Sequence, residues 1–224
     1  MCGRFVGFRN LEELKEFFPI DSAACEVVVN YNVAPSQEVL VIVKHAGENR
    51  LDRFHWGLVP FWAKDISIGS KMINARSESV TEKPSFRNAF KKRRCLILAD
   101  GFYEWTGEKG HKQPVFITLP EKKPFAFAGL WETWSNKGAE EAAYRSCTII
   151  TTRASESIRN IHHRMPVILK TEVYEHWLEP ANQNIIKLEG ILKDDIYTEF
   201  VGYPVSQEVN SSRHNDPSCL EPAG

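Results

Sequence analysis

The sequence contains no apolar run of the length a membrane-spanning helix requires, and its opening, MCGRFVGFRN, lacks the apolar stretch of a secretion signal. A soluble protein of the cytoplasm is therefore expected. Excess charge is also missing: 28 Lys and Arg stand against 29 Asp and Glu, for a formal net charge of -1. Bulk electrostatics give no reason to expect nucleic acid or a membrane surface, so any basic binding face must be local. There is no CxxC pair and no HExxH helix, hence no zinc signature, and the aminothiol chemistry considered below needs no metal or organic cofactor. The five cysteines, Cys2, Cys25, Cys95, Cys147 and Cys219, are odd in number and widely spaced, in a chain too long to need disulfide staples. Reduced thiols are the expectation.

What is present is an ordinary globular composition, 42% hydrophobic and 25% charged over 224 residues, enough for one core and one domain spanning 1–224. Residues 10–18, NLEELKEFF, carry an Asn cap, early acids and apolar positions at helical spacing. Short β-branched runs at Val39–Lys44, Arg94–Ala99, Pro114–Leu119, Phe125–Leu130 and Ser146–Thr152 read as strands. Turn-forming pieces at Gly47–Asn49, Thr106–Lys112 and Asn136–Glu141 separate them, which favours a hairpin-rich sheet over βαβ units. Two further helices are expected at Lys170–Leu178, with Thr171 as cap, and at Ile185–Lys193. The tail from about residue 211 is polar and expected along the surface.

Chemistry begins with Cys2. If Met1 is removed, Cys2 presents an α-amine and a thiol on adjacent carbons, a 1,2-aminothiol that reacts with aldehydes. An α-amine with a pKa of about 7.7–8.0 is roughly one-tenth neutral at pH 7, against well under a thousandth for a Lys amine. The alternative is that Met1 stays and Cys2 is only a second residue. Asn74 and Arg76, in INARSES, could orient an amine and fork a phosphate, or could open a helix with a solvated face. Glu104, in DGFYEW, sits among aromatics that would raise its pKa and suit it to proton transfer, or is exposed beside a hairpin. Of the consecutive His162 and His163, one should enter a given site, and His162 is taken as acid or base. WGLVPFW offers aromatics that could stack on bases or fill a core. Arg87, Lys91, Lys92, Arg93 and Arg94 could form a local basic patch or a solvated face.

Taken together, MCGRF, YNVAP from Tyr31, WGLVPFWAKD from Trp56, INARSES from Ile73, CLILADGFYEW from Cys95, IHHRMPVIL from Ile161 and Val209-Asn210 resemble the SRAP family, the SOS-response-associated peptidases or abasic-site processing proteins. The resemblance implies a single α+β domain, mainly an antiparallel β-barrel-like sheet with flanking helices. It implies a monomer that binds single-stranded DNA, with mature Cys2 crosslinked to the ring-opened aldehyde of an abasic site as a thiazolidine. Asn74 and Glu104 would position and deprotonate the amine, and His162 would assist ring opening. Arg4 and Arg76 match phosphate-contacting positions, and Pro35 and Trp62 match residues along the DNA path. Ala63 stands where some relatives carry a second Trp. A competing lyase activity, or a thiol peptidase that removes its own Met1, remains an alternative. So do a glutamine amidotransferase, which lacks its further signatures here, and a DNA-binding module in which Cys2 is incidental.

Overall fold

A computed structural model describes residues 2–108, 110–136 and 143–223. Strand β1 (Phe5–Gly7) leads into α1 (Leu11–Phe17), followed by β2 (Ser22–Ala23), β3 (Asn30–Val33), β4 (Glu38–His45), β5 (Glu48–Trp56) and β6 (Asn74–Arg76). Helix α2 (Arg87–Lys92) precedes β7 (Arg94–Ala99), β8 (Gly101–Thr106), β9 (Gln113–Thr118), β10 (Phe125–Trp134), β11 (Tyr144–Arg153), β12 (Arg164–Pro166) and β13 (Ile168–Leu169). Helices α3 (Tyr174–Leu178) and α4 (Ile185–Asp194) and strand β14 (Val201–Pro204) follow.

The strands form two sheets, one in the order β14-β9-β8-β1-β3 and a larger one in the order β12-β11-β10-β7-β4-β5-β2. Most pairings are antiparallel, and four of them, β4–β5, β8–β9, β10–β11 and β11–β12, are hairpins between consecutive strands, as the strand spacing anticipates. In the β4–β5 hairpin, Ala46 and Gly47 both have positive φ, the geometry that matches a two-residue turn to the twist of its strands. The larger sheet curls until β11 meets β5 in a short parallel pairing, Ser146 with His55 and Cys147 with Trp56. The path β11-β10-β7-β4-β5 thereby returns to its start, and the expected α+β, barrel-like architecture is the one observed. Its interior is aromatic: Phe5 lies edge-on to Trp56 at 5.1 Å and to Phe127 at 5.5 Å, with all three rings buried.

Local signals set several boundaries. Asn10 accepts from Glu13 N at 3.0 Å while the Glu13 carboxylate accepts from Asn10 N at 2.8 Å, a capping box that starts α1 where the sequence places it. Thr171 does not cap a helix: residues 171–173 form a 3₁₀ turn without a side-chain cap, and α3 starts at Tyr174. Burial of Tyr174, Trp177 and Leu178 sets the register of that helix in place of a cap. The Arg87–Arg94 run, read only for charge, contains α2. Arg94 is turned inward, where its guanidinium donates to the carbonyls of Phe90, Lys91, Trp177, Glu179 and Asn182. Carbonyls at the C-terminal ends of α2 and α3 carry the negative end of the helix dipole, so they favour this cation, and the Glu179 charge adds to the attraction. Burial pushes its pKa down to about 10.

The tail is docked more firmly than its polarity suggests. Buried Asn32 donates to the carbonyls of Val209, Ser211 and His214, at 3.2, 3.0 and 2.7 Å, and Cys219 is buried. The turn expected at Asn136–Glu141 lies, beyond Asn136, outside the described residues. All five cysteines are free thiols.

Gly57 has φ of +135°, and a Cβ there would meet the Gly69 carbonyl oxygen at 2.7 Å. The close approach of these two backbones ties down the loop that carries Phe61 and Trp62. Gly57→Ala is expected to lower the unfolding free energy by roughly 2–4 kcal/mol. Gly190→Ala, in α4 with no atom within 4 Å of the new methyl, should raise it by about 0.5–1 kcal/mol. Urea unfolding midpoints of the two variants, moving in opposite directions, check both.

Candidate active site

The N-terminal segment is held by the smaller sheet. Phe5 pairs with Phe102 and Val6 with Gly101, and Tyr103 N donates to Arg4 O at 2.9 Å. Continued toward the terminus, this antiparallel register carries residues 2 and 3 alongside Glu104 and Trp105. Cys2 is fully buried. From the larger sheet, β6 runs parallel to β11 with Asn74 opposite Ile149, and Asn74 Nδ2 donates to the Cys2 carbonyl at 2.8 Å. Cys2 is thus clasped between the two sheets.

Glu104 lies within β8 rather than at a strand end, paired with Val115 and only 4% exposed. Burial raises its pKa, because an ionised carboxylate loses hydration there. Burial, followed by the Glu104 charge, also pushes the Cys2 thiol well above the ordinary range, which places the carboxylate within electrostatic reach of the sulfur. The Asn74 Oδ1 atom is buried without a hydrogen-bond partner among the described residues. Buried acceptors are rarely left so.

His162 comes from the turn between β11 and β12. Its Nδ1 accepts from Arg164 N at 2.9 Å, so the neutral ring carries its proton on Nε2. The ring stacks on His163 with centroids 4.4 Å apart, and burial is the main cause of its lowered pKa. Lys112 acts electrostatically on both Glu104 and His162, which brings all three into one neighbourhood. Sequence reading passed over Lys112, which lies in a polar turn without a distinguishing pattern. It passed over Arg164 as well, whose backbone orients His162 and whose guanidinium holds Glu78 through two bonds, at 2.5 and 3.0 Å. The i, i+2 spacing of His162 and Arg164 was the available signal.

The remaining expected residues do not gather at one point. Arg4 is half-buried, and its Nη1 donates to Asn32 Oδ1 at 2.6 Å and to Val209 O at 2.8 Å, so part of its fork is spent on the protein. Arg76 is exposed and lines a cavity of about 740 Å³ with Arg153, Arg159, His163 and Arg164. Trp62 is 49% exposed and lines a different cavity with Phe61, Lys64 and Trp134. Trp134 Nε1 donates to Ala63 O at 2.8 Å, so the second indole of that cavity comes from β10. Pro35 sits in the turn between β3 and β4. Among the described residues no group of three or more His, Cys, Asp or Glu side chains could hold a metal ion, and no helix is long and apolar enough to cross a membrane.

Fold and site together define a class: α+β proteins that bury a cysteine near the chain start between two sheets, against an amide and a carboxyl group of raised pKa. The family described as SOS response associated peptidase (SRAP) matches residues 1–212, and the chain belongs to it. Abasic site processing protein YoqW of Bacillus subtilis (strain 168) is 44% identical over 99% of both chains. Abasic site processing protein HMCES of Xenopus tropicalis is 34% identical over 85% of this chain and 65% of its own. The crystal structure of a Bacteroides thetaiotaomicron protein superimposes with a TM-score of 0.87 at 26% identity, covering 99% of this chain and all of that one.

The raised pKa of Glu104 sets a pH sense. Above its folded-state pKa the ionised carboxylate destabilises the folded chain relative to the unfolded one; below the ordinary value of 4.5 both states are protonated and the penalty vanishes. Glu104→Gln is therefore expected to melt higher than the parent near about pH 8, by roughly 2–4 °C, with the gain shrinking as pH falls toward 4.5. Thermal melts across that range test it, and a lower Tm at alkaline pH would refute the assignment.

Proposed function

We propose that this protein processes abasic sites in single-stranded DNA by covalent capture on Cys2 after Met1 is removed. The observation that carries the reading is the clasp on Cys2: its carbonyl held by Asn74, whose own Oδ1 lacks a partner among the described residues, with the Glu104 charge acting on its thiol. An α-amine freed at Cys2 adds an N–H donor beside these acceptors. The names of the relatives, abasic site processing proteins in bacteria and vertebrates, point to the same substrate.

The raised thiol pKa orders the steps. A protonated thiol is a poor nucleophile, so the amine attacks first. The neutral amine adds to C1′ of the ring-opened deoxyribose to give a carbinolamine, which loses water to form an imine. Glu104 takes the proton released by the amine and returns it to the departing hydroxyl, which leaves as water, while the neutral His162 holds that oxygen with a hydrogen bond from Nε2–H. The thiol then gives up its proton, sulfur bonds to the imine carbon, and nitrogen is protonated. The balance is aldehyde plus aminothiol to thiazolidine plus water. Ring closure consumes the imine that would otherwise permit β-elimination of the 3′ phosphate, so strand cleavage by lyase chemistry competes only when closure is slow. Arg4, Arg76, Pro35 and Trp62 serve as contacts for the DNA strand. In this reading residues 1–224 act as one domain and as a monomer, in the cytoplasm on damaged DNA.

Incubation of the Met1-free protein with single-stranded DNA bearing one abasic site should give an adduct that survives denaturation. Cys2→Ser keeps the amine but loses the sulfur, and should yield a labile product trapped only by a reductant, with more strand cleavage. Asn74→Ala and Glu104→Gln should slow adduct formation by about 10²-fold or more. No adduct from protein with confirmed Met1 removal would overturn the reading. The mass of Cys2→Ala protein reports separately on self-processing, since retained Met1 would assign its removal to the thiol.

A further inference from the structure

Exposed large apolar side chains are few among the described residues, and three of them, Phe61, Trp62 and Ile66, fall on one short stretch. Phe61 is 56% exposed. Clustered rings left in water mark interaction surfaces more often than chance placement. Phe61 borders two cavities. One, of about 410 Å³, is the Trp62, Lys64 and Trp134 cavity. The other, of about 430 Å³, is lined by Asn88, Lys91, Lys92, Arg93 and Glu132.

The charges of the second cavity are sorted. Glu132 is occupied by Arg93, whose Nη2 donates to it at 2.6 Å, and by Thr133 N at 3.0 Å. Arg94 is turned away into the core. Lys91 and Lys92, in the last turn of α2, are exposed, and neither ammonium has a carboxylate partner among the described residues. A net charge of -1 for the whole chain makes this a local cationic feature. An exposed aromatic face beside unpaired ammonium groups is complementary to an unpaired nucleotide, the ring taking the base and the ammonium groups the phosphates. An acidic peptide would use the lysines and leave the ring in water.

We infer that Phe61 and the C-terminal turn of α2 form a second docking site for single-stranded DNA, stacking one unpaired base on Phe61 and holding neighbouring phosphates on Lys91 and Lys92. The site rests on the proposed action on single-stranded DNA and extends it: the strand runs past Trp62 onto α2, so the footprint is longer than the nucleotides nearest Cys2. Neither residue set belongs to the chemistry at Cys2, and the surface binds DNA whether or not a base is missing.

Anisotropy titrations of the full chain with labelled single-stranded DNA lacking any abasic site isolate this surface from crosslinking. Phe61→Ala should weaken binding about tenfold, and Phe61→Trp should restore it. The double variant Lys91→Gln/Lys92→Gln should reduce the slope of log affinity against log salt by about 1.4, as expected for two lost contacts to a single strand. Ile186→Ala, on α4 and bordering neither cavity, should bind as the parent does. Affinity within twofold for Phe61→Ala together with an unchanged salt slope would overturn the inference, even if the parent crosslinks abasic DNA. A parent that forms no adduct yet loses DNA affinity on Phe61→Ala would instead overturn the capture reading and leave this site standing.

Discussion

The structure depends on the short antiparallel pairing that lays the first residues of the chain against β8. A chain terminus ordinarily frays, because ordering it costs conformational entropy with few contacts in return. Here Phe5 inserts between Trp56 and Phe127 in the aromatic interior, and β1 is bounded by β3 on one side and β8 on the other. Anchoring Phe5 three residues downstream leaves Cys2 little freedom. The Asn74 bond to its carbonyl removes much of what remains.

That anchoring explains why the site straddles two sheets. Glu104 belongs to the smaller sheet and Asn74 to the larger, and Cys2 lies where both reach it. A group aimed from each sheet holds position better than two from one flexible loop, because each backbone is fixed by its own ladder of bonds. The arrangement is costly, since burial disfavours both the Glu104 carboxylate and the Cys2 thiolate. The same burial makes the Glu104 carboxyl group easier to protonate than an exposed one, a property that suits a group to proton transfer.

Much of the architecture could be read from residue pattern. The cap at Asn10 and the strands from Arg94 and Phe125 follow from local rules of capping and alternation, whereas the turn expected at Gly47–Asn49 closes at Ala46-Gly47, with Glu48 and Asn49 already in β5. Thr171 failed as a cap because packing of Tyr174 and Trp177 outweighed a weak local signal. Arg94 was read with a surface patch, and nothing in KKRR distinguishes the one cation whose partners are five carbonyls from segments as distant as Asn182. Lys112 escaped notice for the same reason, and so did the hold of Arg164 on Glu78: each is defined by neighbours remote in sequence.

By itself the sequence determined residue chemistry and short-range structure: a cysteine next to Met1, an acid among aromatics, two consecutive histidines, and short apolar runs that favour hairpins. These are properties of a residue and its immediate neighbours. Only the tertiary structure decided that Cys2 is buried, that Asn74 holds its carbonyl, that the Glu104 charge reaches its sulfur, and that Arg4 spends part of its fork on Asn32 and Val209. Burial and field arise from packing two sheets against one another. No pattern within a single segment encodes the distance between residues 2, 74 and 104.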